Sequence, residues 1–137
     1  MRFITLLSLA AVVAAPVYAA DPVAGERLWR NCQACHMVVD DAGEVLARGG
    51  RVGPNLYRVV GRPAGSIEGF RYSTDLAAAG EAGLVWDTES FQAYTANPTA
   101  FLREYLDKPS ARGAMAFQLR SGAEDMYAYL KSVSGQE

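Results

Sequence analysis

The stretch "RNCQACHMV", residues 30–38, holds both cysteines of the 137-residue chain, Cys32 and Cys35, and its only histidine, His36. With every thiol and the one imidazole so close together, few chemistries remain open. A disulfide between the cysteines is available to an exported chain. A CxxC redox pair belongs within a βαβ pattern, which the flanking sequence lacks. A structural zinc site takes four protein ligands; here Cys and His supply three, packed too tightly to close a tetrahedron easily. The remaining reading is covalent haem. Cys32 and Cys35, one helical turn apart, present two thiols to the two vinyl groups, and His36 follows directly, placed to bind the iron from the proximal side. One such motif means one haem c, and one histidine rules out ligation by two imidazoles of the same chain.

The sixth ligand is then Met, another weaker donor, water or nothing, and the chain offers four methionines. Met1 lies in the leader described below, and Met37 adjoins His36 and cannot swing to the opposite face of the ring. Met126 sits in "SGAEDMYAYLKSV", residues 121–133, where Met126, Tyr129, Leu130 and Val133 recur with helical period. It therefore reads as core, in a helix that Ser121 and Glu124 open as a capping box. Met115 lies in "PSARGAMAFQL", residues 109–119, whose Pro, Gly and small residues mark a loop. A thioether there can reach the iron from the far side, 79 residues after His36. Its other reading is a gap-filler against the haem edge.

Residues 1–19 have the form of an export signal: Arg2, an apolar run over 3–15, and a small-residue site in "PVYAA" with cleavage near Ala19/Ala20. The run of 13 residues is shorter than the roughly 20 that span a bilayer. The expectation is a periplasmic protein with no membrane insertion after cleavage and a single domain over 20–137. Without Arg2 the mature chain sets 12 Lys+Arg against 15 Asp+Glu, and only Lys108 and Lys131 are lysines. That balance leaves no basic face for nucleic acid.

The remaining chain predicts a first helix over 23–31 with Leu28 and Trp29 inward, and another over 87–96 with Phe91 and Tyr94 on one face. A further helix starts at Asn97-Pro98, Asn capping and Pro in the first turn. Residues 37–52 read as a polar loop with a hairpin around Ala42-Gly43. Trp29 and Phe91 read as plain core, whereas Tyr72, Trp86 and Tyr94 have polar tips that need partners when buried.

Taken in order, "GERLWRNCQACH", "GPNLYRVVGRPAG", "EGFRYS", "LVWDTESFQAYTANP", "AMAF" and "EDMYAYLK" resemble the class I cytochromes c, most closely the bacterial cytochrome c2 / c550 group. The resemblance implies an all-α fold in which N- and C-terminal helices cross and short helices and loops wrap one covalent haem. It assigns Pro54 as the carbonyl that accepts the proton on the far nitrogen of His36, and Arg62, Tyr72 and Trp86 as donors to the haem propionates. Tyr94 falls beside the methionine sulfur, Phe117 beside the haem edge, and Gly25, Trp29, Met126 and Tyr129 at the helix crossing. Three departures stand out. The 37–52 segment is longer than in the short mitochondrial forms; Gly113 and Ala114 replace a frequent Thr-Lys before the methionine; Leu76 replaces an expected asparagine.

The activity so implied is one-electron transfer, with no bond chemistry, by a monomeric soluble carrier between a membrane complex or dehydrogenase and an oxidase or photosynthetic reaction centre. Its transient partners would be a cytochrome bc1-type complex, an oxidase, a reaction centre or a periplasmic dehydrogenase. Lys108, Arg112 and Arg120 are the few cations near the expected docking edge. Two alternatives remain: the dedicated electron-acceptor subunit of one periplasmic dehydrogenase, and an open-site haem enzyme or gas-binding protein.

Overall fold

A computed structural model describes residues 18–136; all but the last two residues of the expected export signal lie outside that range. Asp21 starts the first helix, α1 (Pro22–Leu28), its carboxylate accepting from the Val23 N–H, with Pro22 in the first turn. The helix tightens into a single 3-10 turn, Trp29–Asn31, where Trp29 O accepts from both Cys32 and Gln33 N–H at 2.8 and 2.9 Å. The expected 23–31 helix is therefore one right-handed stretch with a narrowed end, and it delivers the chain into the CxxCH turn.

The hairpin expected in the 37–52 segment is present. Strands β1 (Val38–Val39) and β2 (Val45–Ala47) pair antiparallel. Asp40 Oδ1 shapes the turn by accepting from Ala42 and Glu44 N–H at 2.9 and 2.8 Å, and Gly43 takes the left-handed conformation at φ 85°. Two long-range contacts tie this flap down. Trp29 Nε1 donates to Arg48 O at 3.0 Å, and Asn55 both accepts from Val39 N–H (3.0 Å) and donates to Val39 O (2.7 Å).

Helices α2 (Thr74–Glu81), α3 (Thr88–Ala96) and α4 (Pro98–Tyr105) are capped by Ser73, Asp87 and Asn97. Asn97 also closes α3, so one residue sets the corner between the two helices. The last helix, α5 (Ala123–Val133), starts one residue later than its sequence suggests. Gly122 stands before it with φ 78° and no side-chain cap is made, which puts the Ser121 hydroxyl outside the capping position. The Ser121–Glu124 capping box does not form, and Glu124 instead accepts from Gln92 Nε2 of α3 at 2.8 Å.

Helices α1 and α5 cross, with Asp21 N–H donating to Asp125 Oδ1 at 2.8 Å and the Trp29 and Tyr129 rings 6.1 Å apart. Met126 and Leu130 are fully buried there, as is Leu102 of α4 deeper in the same core. Burying each such side chain contributes roughly 1.5–3 kcal/mol. The architecture is all-α apart from the small hairpin. Among the described residues, no helix is long and apolar enough to cross a membrane.

Candidate functional site

The CxxCH segment is a helical turn: Cys32 O accepts from Cys35 and His36 N–H at 3.1 and 2.9 Å. His36 Nδ1 lies 2.8 Å from Pro54 O. A carbonyl only accepts, so Nδ1 carries the proton and Nε2 keeps its lone pair. Burial lowers the imidazole pKa, partly offset by the Pro54 bond, which favours the neutral, ligating form. The loop before Pro54 presses on the ring. A Cβ on Gly53 would stand 2.3 Å from His36 Cε1 and 2.6 Å from Nδ1. Gly53→Ala is expected to displace the imidazole and destabilise the folded protein by about 2 kcal/mol, read as a lower Tm; an unchanged Tm would mean that the ring has room to move.

Cys32 is half-buried and Cys35 exposed, and no disulfide joins them. Burial, with Cys35 beside it, pushes the Cys32 thiol up to about 11.

Arg62 is held by two carbonyls, Nη1 donating to Tyr57 O at 2.8 Å and Nη2 to Asn55 O at 3.1 Å. Its Nε is buried with no hydrogen-bond partner. A buried N–H without an acceptor is costly. Tyr72 stands close enough for Arg62 to act on its charge, and its hydroxyl oxygen accepts from Ile67 N–H at 3.4 Å, leaving the phenolic proton for another acceptor. An orphaned guanidinium N–H beside a free phenol fits a carboxylate such as a haem propionate.

Trp86 is joined to this group through its backbone, its N–H donating to Arg62 O at 3.0 Å. Its ring lies 4.9 Å from that of Tyr94, which in turn packs edge-on against Phe101 at 5.9 Å. Burial pushes the Tyr94 phenol up to about 12, so it stays protonated and able to donate. Met115 is half-buried in an irregular loop and packs against the main core. Phe117 is 43% exposed, at the surface rather than within the aromatic group.

The structure thus brings Pro54 to His36, Arg62 to Tyr72 and Trp86, and Trp86 to Tyr94. Two contributors were not read from the sequence. Gly53 walls the imidazole, and Asn55 supplies both a carbonyl to Arg62 and a side-chain clamp on the hairpin. The signal available was Asn55 itself, because an Asn side chain commonly bonds backbone two residues on, as Oδ1 does in accepting from Tyr57 N–H at 3.1 Å; its clamp on Val39 had no local signal.

No family model matches the chain. It is 58% identical over 123 residues to cytochrome c-551 of Roseobacter denitrificans, covering 89% of this chain and 88% of that one. The chain belongs to the class I cytochromes c. Cytochrome c2 of Rhodobacter capsulatus is 43% identical, with 90% of each chain covered. The crystal structure of cytochrome c2 from Rhodobacter capsulatus matches with a TM-score of 0.81 at 41% identity, covering 83% of this chain and 98% of that one. Ferric cytochrome c-550 from Paracoccus versutus gives a TM-score of 0.81 at 35% identity, covering 84% and 98%. This cytochrome c accordingly carries one covalently attached haem c with iron, and its relatives are soluble electron carriers.

Proposed function

We propose that this cytochrome c is a periplasmic, monomeric one-electron carrier, in which Cys32 and Cys35 form the haem thioethers and His36 and Met115 are the axial iron ligands. The observation that carries the reading is the His36 Nδ1–Pro54 O bond: it fixes the tautomer, aims the ring, and makes the free nitrogen a better donor. The haem c supplies a one-electron redox centre when bound. Every other requirement falls on the chain. Arg62, Tyr72 and Trp86 donate to the propionates, whose burial would otherwise be costly. Met115 offers a soft sulfur that raises the potential, with Tyr94 as the donor beside it. Phe117 covers the haem edge at the surface. With His36 and Met115 both holding the iron, oxygen and peroxide would find no open position and no bond chemistry would be performed.

Residues 1–19 serve as the export signal, and 20–137 form the single domain. The partners are transient redox proteins: a cytochrome bc1-type complex, an oxidase, a reaction centre or a periplasmic dehydrogenase, met through a small interface near the haem edge. The exposed Arg112 and Arg120 and Lys108, which is half-exposed although paired with Asp75, Nζ to Oδ1 at 2.6 Å, are the docking cations.

The test is the optical spectrum of the ferric holoprotein with an imidazole titration. A methionine–iron charge-transfer band and slow, weak imidazole binding are expected. No band, with fast and tight binding, would overturn the carrier reading and favour an open-site haem protein.

A further inference from the structure

We propose that Asp75, at the start of α2, is a positioning residue that holds the Met115 loop closed and so sets how often the sixth coordination position opens. The inference rests on Met115 being the distal ligand.

The stretch just before Met115 holds little of itself, because Gly113 and Ala114 have no polar side chain. Its hold comes from the surrounding helices. Leu119 N–H donates to Thr95 O of α3 at 2.8 Å. From α4, Thr99 Oγ1 accepts from Gly113 N–H at 3.1 Å, and Arg103 Nε donates to Ala111 O at 3.1 Å. The clasp from α2 is of another kind. Asp75 Oδ2 accepts from Arg112 N–H at 2.8 Å while Oδ1 accepts from Lys108 Nζ at 2.6 Å. One carboxylate therefore grips the loop at two points four residues apart, and it does so from an element that neither α3 nor α4 contains.

Three physical features make this grip strong. The Asp75 side chain is only 12% exposed. Its bond to the Arg112 N–H is charge-assisted. Its place in the first turn of α2 puts the negative charge where the helix dipole favours it. The Lys108 pair is the weaker half, since that side chain is 49% exposed and surface ion pairs contribute little. Arg112 lies three residues before Met115, so freeing its N–H loosens the loop at the ligand itself.

The experiment uses ferric holoprotein with imidazole as the probe, at concentrations where the binding rate saturates at the rate of loop opening. Asp75→Ala should raise that limiting rate about tenfold, the effect of losing one hydrogen bond to a charged group. Asp75→Asn keeps one oxygen for the Arg112 N–H but loses the charge and the Lys108 contact, and its rate should fall between those of Asp75→Ala and the wild type. Amide hydrogen exchange at Arg112 and Gly113 should quicken in Asp75→Ala, while Leu130 in the helix crossing keeps its wild-type protection. An unchanged limiting rate overturns the proposal, as does a rise matched by equally faster exchange at Leu130, which would mean general destabilisation. Absence of the methionine band in the unmutated protein overturns the ligand reading with it; an intact band with an unchanged rate overturns the Asp75 role alone.

Discussion

Gly25→Ala is expected to lower the Tm of the holoprotein by about 10 °C, the shift that a loss of roughly 3 kcal/mol produces in a domain of this size. At an exposed helical position the same change would stabilise by about 1 kcal/mol through helix propensity. Gly25 is buried where α1 meets α5, and a Cβ there would stand 2.0 Å from Asp125 O, 2.5 Å from Asp125 C and 2.7 Å from Tyr129 Cβ. Two of these atoms are backbone and cannot rotate away. The helices must move apart, and the packing of Met126 and Leu130 is lost over the whole crossing. Thermal unfolding of the two holoproteins decides the matter, and a Tm equal to or above the wild type would show that the helices do not meet at Gly25.

Met115→Ala should have the largest effect on the site. With the proposed ligand set, an external ligand would bind only the fraction of molecules in which the Met115 loop is open. If opening costs about 3 kcal/mol, that fraction is below one in a hundred, and removing the internal competitor tightens apparent imidazole binding about 100-fold. The charge-transfer band should vanish and the potential should fall with loss of the soft sulfur. Unchanged imidazole affinity with the band retained would assign the sulfur to another residue or to packing alone. Because Met115 is half-buried at the edge of the core, the variant should still fold, which keeps the result interpretable.

What the sequence disclosed was local. The CxxCH turn closes through bonds spanning three and four residues, and the corner at Asn97-Pro98 is made by one side chain and one ring. The hairpin near Ala42-Gly43 needs only Asp40 and a left-handed glycine. Where a contact joins distant segments, residue identity alone gave no address. Asp75 carries no signal in the sequence, and its partners lie 33 and 37 residues away. Trp29 reads as core, and it is buried, but its indole N–H also pins the hairpin at Arg48. The start of α5 lies one residue beyond the position that the capping-box spacing of Ser121 and Glu124 indicates, and nothing in that spacing reveals that Gly122 turns left-handed. Among the site residues, Arg62 was recognisable through family likeness, but its orphaned Nε and its two carbonyl partners emerge only from the folded backbone.

The crossing of α1 and α5 also governs when the cysteines are available. Asp21 and Asp125 are 104 residues apart, so the crossing forms only when both ends of the domain are present. Before haem is attached, burial in the closed chain would push the Cys32 thiol up to about 11, leaving little thiolate at neutral pH. In the open chain the same thiol has its ordinary acidity and full access. An open chain would thus give Cys32 freer access, and thioether formation at that stage would commit the chain to fold around the group it has just acquired.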